Sequence, residues 1–256
     1  TPFLLSEIFQ FSKDVKFSEI EPIIGRQKKY NLAIAEAGLN GDWGANVGKT
    51  LLKKCGVTAS TLAKALPAAA SDARMSGCNL PVIINSGSGN QGITASLPVI
   101  AYAKYLQHSD EEHLYRSLVL SNLVAIYQKQ LIGKLSSFCG VVSAAVGAGA
   151  GIAYLHKASF EVIQNTIINT LANTSGIICD GAKPSCAAKI VSAVSAAQLG
   201  FELALNNSVF QPGDGIVRNS GDETIQAIGL VAQKGMGYTD QVILEIMLNN
   251  NEIVNF

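Results

Sequence analysis

The chain has 256 residues, of which 48% are hydrophobic and 15% charged, enough for one large domain with a substantial buried core. Lysine plus arginine number 19, as do aspartate plus glutamate. A neutral chain without a basic run is poorly suited to nucleic acid or an anionic membrane, so we expect neither partner. Five cysteines without a C-x-x-C pair disfavour a disulfide scaffold or a zinc ribbon, and we expect a reducing cytoplasm.

Apolar spacing near 3.6 residues predicts helices along most of the chain. The helical segments, in chain order, are 24–40, 109–135, 159–177, 222–236 and 239–254, with a long Ala-rich helix near 186–205. Ser109 or Asp110 is the predicted N-cap of the second segment. Only "NLPVIIN", residues 79–85, resembles a strand, and such a short apolar run does not distinguish a strand from a helix. The sequence predicts a mainly α protein, a compact bundle of buried Ala/Gly-rich helices whose loop-to-helix junctions converge on one site.

Glycines in the stretch "PVIINSGSGNQGITASLPVIAYAKYLQ", at 87, 89 and 92, satisfy the dinucleotide fingerprint G-x-G-x-x-G. A Rossmann unit needs a second parallel strand that ends at an acidic residue, whereas the acids from Asp110 onward open a helix. Pro98 also lies inside the supposed first helix, for which Thr94 or Ser96 is the better predicted N-cap. We therefore expect no NAD binding.

Two further patterns are interpreted structurally. The P-loop needs four residues between its glycines, but "GANVGKT" has three between Gly44 and Gly48, which favours a glycine turn between two helices. The uncharged run 135–155 is long enough to cross a bilayer, but it contains four glycines and three serines. A helix buried in the core is the preferred interpretation, and no membrane association is expected.

Three cysteines lie where loops meet predicted helices. Cys186 falls in the opening turn of the Ala-rich helix, Cys179 lies seven residues earlier across the Asp180–Gly181 turn, and Cys139 precedes another helix. Helix N-termini favour the thiolate. Three converging thiolates would suit an iron–sulfur cluster with one iron left open to substrate. From the residues alone, the alternative that these cysteines are small buried hydrophobes stays open.

The segments "SDARMSGCNLPVIINSGSGNQGITASLPVIAYA", "LSSFCGVVSAAVGAGAGIAYL" and "SGIICDGAKPSCAAKI" resemble the catalytic region of the L-cysteine desulfidases, within the iron–sulfur L-serine dehydratase α-chain superfamily. The similarity runs from about Lys29 to Val254, with the motifs in the family's order. It implies that Cys139, Cys179 and Cys186 hold a [4Fe-4S] cluster. Cys55 and Cys78 match no ligand position and are interpreted as packing residues.

The resemblance implies β-elimination of an L-amino acid without pyridoxal phosphate: L-cysteine to pyruvate, ammonia and sulfide. Gly87-Ser88-Gly89 replaces the Thr-Asn-Gly triplet of the serine dehydratases, which disfavours L-serine, although serine dehydration remains an alternative. The substrate-binding residues implied are Ser86, Ser88, Gly89, Asn90, Gln91 and Arg74. Arg74 alternatively forms a structural ion pair with Asp72.

The general base is not identified by the sequence, and Lys183 and His156 are its candidates. Lys183 alternatively faces solvent, and His156 alternatively caps the preceding helix. His108 and His113 lie at a charged helix start and are interpreted as solvated.

The whole of 1–256 is interpreted as a single helical catalytic domain. The desulfidases carry an upstream Gly-Cys-Thr-Glu-Pro motif, which this chain lacks, and the chain begins without Met. We expect an N-terminal domain of the same protein as a partner, besides the amino-acid substrate, with a homo-oligomer as a further option. A cluster-free binding or regulatory domain of the same fold is the alternative from another functional class.

Overall fold

Helices make up most of the computed structural model, which describes residues 3–106, 110–133 and 136–248, and no β-strand is formed within those ranges. Eleven α-helices and one π-helix are described: α1 Leu5–Asp14, α2 Phe17–Asn40, α3 Val47–Cys55, α4 Ala59–Met75, α5 Gly89–Leu106, α6 Glu111–Ile132, α7 Gly140–Leu155, α8 Phe160–Thr174, α9 Cys186–Leu205, α10 Gly221–Leu230, the π-helix Val231–Gly235 and α11 Gly237–Leu248. The prediction of a mainly α protein is confirmed.

Helices α5 and α7 form the centre of the bundle. Every residue of α5 from Gly89 to Ala103 is buried, and so is every residue of α7 from Val141 to Leu155. The two helices pack against each other, with α4 and α6 also against α5, and with α6, α8 and α9 also against α7. Helices buried on all sides lose the polar stripe of a surface helix, which explains their uniformly apolar, small-residue sequences.

Glycines allow these helices to approach closely. A Cβ at Gly147 of α7 would lie 2.3 Å from the carbonyl oxygen of Ser121 in α6. A Cβ at Gly38 of α2 would lie 2.0 Å from the carbonyl oxygen of Ala69 in α4. Both clashes are with backbone atoms, which have little freedom to move aside. The Ala/Gly richness noted in the sequence therefore reflects tight helix crossings.

Side-chain N-caps mark the starts of α4, α6, α8 and α10. Asp110 is the N-cap of α6 and accepts a hydrogen bond from the amide of His113, as predicted. Cys139 is the N-cap residue of α7, and Cys186 is the first residue of α9. Ser159 and Ser220 cap α8 and α10 with their side-chain oxygens.

The glycine loop differs from its prediction in two respects. Residues 79–84 form no regular secondary structure and pair with no neighbouring strand, so the predicted strand is wrong. Helix α5 begins at Gly89, so Thr94 and Ser96 are not its N-cap but are buried inside it, where their hydroxyls donate to carbonyls four residues back. Such back-bonding satisfies a hydroxyl inside an apolar helix. Because no sheet exists in the described ranges, the three glycines lack the strand–turn–helix setting of a dinucleotide site.

The "GANVGKT" stretch connects α2 to α3 by a turn, as predicted. The side chain of Asp72 in α4 caps the start of α3. Its buried carboxylate accepts a hydrogen bond from the amide of Gly48 at 3.2 Å. Burial raises the pKa of Asp72, and the backbone amides of Gly48 and Val47 oppose that shift. The positive end of α3 is thus neutralised internally.

One helix in the described part of the chain, Cys186–Leu205, is long and apolar enough to cross a bilayer by length and composition. That helix, α9, packs against α4, α7 and α8. Its residues Ile190, Val194 and Phe201 are almost completely buried there. These contacts give α9 the setting of a core helix.

Candidate functional site: three cysteines beside a glycine loop

Two loops meet at the start of α7. Phe138 and Ile178 form an isolated antiparallel bridge, and the amide of Cys139 donates to the carbonyl of Ile177 at 3.0 Å. Phe138 is fully buried, so the bridge is anchored in the core. The pairing brings Cys139 and Cys179 together although forty residues separate them in the chain.

The two thiols influence each other directly. The pKa of Cys139 is raised because its thiol donates a hydrogen bond to the sulfur of Cys179 and because it is buried. The same hydrogen bond lowers the pKa of Cys179 to about 6, assisted by the backbone of Gly181 and the charge of Lys189. Cys179 is therefore the nucleophilic member of the pair at neutral pH.

The third cysteine lies on the same loop. The buried thiol of Cys186 donates to the carbonyl of Gly181 at 3.6 Å, and its amide donates to the carbonyl of Lys183 at 3.0 Å. Gly181 has φ +93°, a conformation that favours glycine and turns the chain back towards α9. Lys189 interacts electrostatically with Cys139, Cys179 and Cys186, so cysteines from both loops lie near one ammonium group.

Lys189, which was not predicted from the sequence as a site residue, holds the loop between Ile178 and Cys186 in place. Its ammonium group donates to the carbonyl of Ile178 at 3.1 Å and forms a very short ion pair with Asp180. The hydrogen bond from Lys189 lowers the pKa of Asp180. Partial burial opposes charge on Lys189, but the Asp180 carboxylate outweighs that effect and raises the pKa of Lys189. The cation beside the cysteines is therefore permanent near neutral pH.

The glycine loop forms a tight turn before α5. Asn85 and Ser88 exchange backbone hydrogen bonds of 3.1 and 3.0 Å, and the Ser86 hydroxyl donates to the Asn85 side chain at 2.8 Å. Ser86 and Gly87 have φ values of 49° and 82°. A serine in the left-handed region is uncommon and is held there by its surroundings, which is typical of functional loops.

A chain of buried amides holds this turn in place. The Asn85 side chain donates to Asn122 of α6 at 2.9 Å, and Asn122 exchanges two hydrogen bonds of 2.8 and 3.0 Å with Gln27 of α2. Asn31 of α2 accepts from the amide of Ile83 at 2.9 Å. These anchors lie far from the loop in sequence, and their role was not visible in any local pattern.

Gln91 links the glycine loop to the cysteines. A Cβ at Gly140, the residue after Cys139, would lie 2.4 Å from the Gln91 side-chain nitrogen, so the amide of Gln91 rests on the first turn of α7. Its Oε1 is buried and has no hydrogen-bond partner among the described residues. An unpartnered buried acceptor at a helix start needs an explanation, and a bound group is one.

Arg74 and its neighbours lie on the α4 side of the loop. The Arg74 guanidinium donates to Asn90 at 3.3 Å, and a Cβ at Gly89 would lie 2.3 Å from its Nε. The predicted alternative ion pair with Asp72 is not formed, because Asp72 caps α3 instead. Arg74 therefore buttresses the start of α5 in this structure.

A cavity of about 520 Å³ opens beside the turn; it is lined by Ser86, Gly87, Ile126, Lys129, Gln130 and Gly133. Lys129, in the last turns of α6, is only 8% exposed. Burial lowers its pKa, while the nearby Cys179, Cys139 and Asp240 oppose that shift. Lys129 thus lies between the glycine loop and the Cys139–Cys179 pair. It was not predicted from the sequence, because a lysine at the end of an amphipathic helix normally faces solvent.

The proposed base candidates lie away from this cavity. His156 caps the C-terminal end of α7, with its Nδ1 2.8 Å from the carbonyl oxygen of Ile152. Because α7 has 16 residues, His156 lies about 24 Å from Cys139. Lys183 is exposed and close to Asp180. His113 is half-buried and stacks on Tyr154, so its interpretation as a solvated residue is wrong, and His108 lies outside the described residues.

The two remaining cysteines have separate settings. Cys78 is half-buried and packs against the core, in agreement with its interpretation as a packing residue. Cys55 is the exposed last residue of α3, so the same interpretation is wrong for Cys55. The helix that contains it is amphipathic and presents its C-terminal turn to solvent.

The donor set suits an iron–sulfur cluster better than a single ion. Within the described residues, no group of three or more His, Cys, Asp or Glu side chains is spaced to hold one metal ion. The Cys139 and Cys179 thiols from two loops are nevertheless hydrogen-bonded, and all three site cysteines are free and lie near the ammonium group of Lys189. Cysteine thiolates are the usual ligands of iron–sulfur clusters, and nearby cations offset the negative charge of such a centre. The residues present therefore fit the group.

Thiol reactivity in the metal-free protein provides a test of the Cys139–Cys179 pair. Because the pKa of Cys179 is lowered to about 6, its thiolate is present above that pH and lost as the pH falls through it. We expect iodoacetamide to alkylate Cys179 at a rate that is nearly constant from pH 7 to 8, whereas N-acetylcysteine, with an ordinary thiol pKa of about 8.5, still accelerates. Peptide mass spectrometry across pH measures both rates.

The matched variant is Cys139→Ala, which removes the hydrogen-bond donor and shifts the Cys179 profile to higher pH. Identical profiles in the variant and the unmodified protein would show that Cys139 does not control the reactivity of Cys179.

A family model described as the serine dehydratase alpha chain matches residues 7–245. A UPF0597 protein of Lachnoclostridium phytofermentans is 56% identical over 245 residues, 96% of this chain and 58% of the relative. UPF0597 proteins of Desulfitobacterium hafniense and Finegoldia magna are 54% and 48% identical, over 96% and 95% of this chain and 57% and 58% of their own lengths. The chain thus spans just under three fifths of these relatives. No solved structure matches it significantly.

Proposed function

Since the chain belongs to the serine dehydratase alpha chain family, we propose that it carries out β-elimination on a small L-amino acid at an iron–sulfur centre. One observation carries the proposal: Cys139, Cys179 and Cys186 all lie near the ammonium group of Lys189. The hydrogen-bonded Cys139–Cys179 pair also lies near Lys129, which lines the cavity of the glycine loop. These three thiolates would hold a [4Fe-4S] cluster, which leaves one iron without a protein ligand. When bound, the cluster would supply Lewis-acid stabilisation of the leaving group.

The chain's own residues would position the substrate. Ser86 and Ser88 would offer hydroxyl groups, and the backbone amides at the start of α5 would offer further donors to the amino acid. The buried, unpartnered Oε1 of Gln91 would accept a hydrogen bond from the substrate's ammonium group. Asn90, steadied by Arg74, would fix the first turn of α5.

The overall reaction is the loss of the α-proton and the β-substituent as the Cα–Cβ double bond forms. The resulting enamine tautomerises and hydrolyses to pyruvate and ammonia. We propose L-cysteine as the substrate, with sulfide as leaving group, because Gly87-Ser88-Gly89 departs from the triplet that the serine dehydratases carry at this loop. L-serine, with hydroxide or water as leaving group, is the second candidate, on the strength of the family match.

Further features belong to the same proposal. The part of the relatives that this chain does not span would supply an additional domain, and the general base would come from there or from the cavity. A cluster of this kind with an open iron is sensitive to oxygen, which is consistent with a reducing cytoplasm.

Anaerobic reconstitution with ferrous iron and sulfide tests the proposal. We expect about four iron and four acid-labile sulfide per chain, with a broad visible absorption, and pyruvate released faster from L-cysteine than from L-serine. The D-enantiomers are the matched control and should yield none. The same measurements on a full-length relative separate a missing domain from a missing activity. A full-length protein that holds no iron would contradict the proposal and favour a cluster-free binding domain.

A further inference from the structure

We propose that Lys129 is the anchor for the substrate's α-carboxylate, an inference that rests on the proposed function of the same site. Lys129 lines the cavity opposite Ser86 and Gly87 and is 8% exposed. Among the described residues, its ammonium group has neither a hydrogen bond nor an ion pair within 4 Å. A largely buried lysine that lines a cavity and has no such partner is available to pair with an anionic ligand there.

Other cationic and amide side chains near the cavity form hydrogen bonds or ion pairs within the protein. Lys129 forms neither with a described residue. Lys189 is held by Asp180 and by the carbonyl of Ile178. Arg74 is turned towards Asn90 on the far side of the glycine loop. The amides of Asn85, Asn122 and Gln27 satisfy one another. Of the cationic side chains described near the loop, Lys129 is the one that lines the cavity, and no described residue forms a hydrogen bond or an ion pair with it.

The groups that favour the charged form of Lys129 act on it electrostatically, without a hydrogen bond. Cys179, Cys139 and Asp240 act on it electrostatically, but none of them forms a hydrogen bond with it. An α-carboxylate in the cavity would give the ammonium group its charge-assisted hydrogen bond. The carboxylate would then also lie near the backbone of Gly87, whose lack of a side chain leaves the space open.

This placement orients the substrate. With the carboxylate held between Lys129 and the glycine loop, the rest of the amino acid is directed towards the cysteines that lie near Lys129. The ligand class is therefore a small α-amino acid, recognised by its carboxylate, with space for a short β-substituent. An amine that lacks the carboxylate would lose this contact entirely.

Ligand binding to the reconstituted protein tests the role of Lys129. The probes are L-alanine, which has no leaving group, and ethylamine, which is L-alanine without its carboxylate. We expect Lys129→Met to weaken L-alanine binding by about 10- to 100-fold, the loss of one hydrogen bond to a charged group. Lys129→Arg, which keeps the charge, should bind within about tenfold of the unmodified protein. Ethylamine binding should be weak and the same in all variants. Isothermal titration calorimetry measures each dissociation constant.

Controls separate binding from folding. Lys53→Met, on the exposed end of α3, removes a charge far from the cavity and should change nothing. Iron content and the unfolding temperature of each variant report structural damage, and Lys129→Arg keeps the test informative if Lys129→Met fails to fold. In turnover, loss of a uniform binding contact raises KM more than it lowers kcat.

The outcomes distinguish this inference from the proposed function. L-alanine binding that depends on Lys129, without turnover of cysteine or serine, would support the role of Lys129 in carboxylate binding and contradict the proposed function. Turnover with L-alanine binding unchanged in Lys129→Met would overturn the anchor alone. The absence of L-alanine binding to the unmodified holoprotein, or an equal loss for L-alanine and ethylamine, would also overturn it.

Discussion

Replacing Cys139, Cys179 or Cys186 singly with serine is expected to lower bound iron from about four per chain to below one and pyruvate formation by at least a thousandfold. Each thiol lies at a different position around one site, so none has a substitute within reach. A serine hydroxyl does not ionise near neutral pH and is a poor ligand for iron. Iron and acid-labile sulfide analysis after anaerobic reconstitution, followed by a pyruvate assay, measures both effects.

Cys55→Ser and Cys78→Ser are the matched controls, because these two thiols lie on the exposed end of α3 and against the core respectively. Both variants should retain iron and activity. Single serine variants at the three site positions that keep a full cluster would rule out the proposed ligand set. The cysteines would then be packing residues, and the chain a binding domain.

Gly92→Ala is expected to lower activity by about 100-fold and the free energy of unfolding by about 1–3 kcal/mol. A Cβ at Gly92 would lie 1.9 Å from the carbonyl oxygen of Ile83, an impossible contact between two backbone segments. The segment 79–84 or the first turn of α5 must therefore move, which displaces the substrate loop between them. Urea unfolding and the pyruvate assay measure the two losses.

Gly237→Ala is the matched control, because a Cβ at that helical glycine meets nothing within 4 Å. It should be neutral or slightly stabilising, since alanine restricts the unfolded chain. Normal activity in Gly92→Ala would show that the close approach of Gly92 to Ile83 is unimportant for the loop, and the substrate role of residues 86–91 would lose its support.

Much of the helical framework is predictable because its signals are local. The 3.6-residue apolar spacing, the N-cap Asp110 and the positions of Cys139 and Cys186 at helix starts all depend on residues within a few positions of one another. The same reasoning predicted that the glycine stretch and "GANVGKT" are not nucleotide-binding motifs, and in the described residues neither stretch follows a β-strand.

Predictions from local sequence were wrong where contacts with buried residues from other parts of the chain determine the structure. Residues 79–84 resemble a strand, but in the described ranges no other strand exists to pair with them, and the side chain of Asn31 satisfies the amide of Ile83 instead. Thr94 and Ser96 are good N-caps by composition, yet tertiary burial places both inside α5 with their hydroxyls bonded to the preceding turn. Propensity is a weak preference that packing overrides.

The sequence by itself determined the mainly α class, the approximate positions of α2, α6, α8, α9 and α10 and the cysteines that stand at helix starts, because periodicity and capping are short-range effects. Only the tertiary structure brought Cys139 to Cys179, set Asn122 behind the glycine loop and buried Lys129 beside the cavity. Those contacts join residues far apart in the chain. Their energies depend on burial and on the partners present, and neither can be evaluated before the helices have packed.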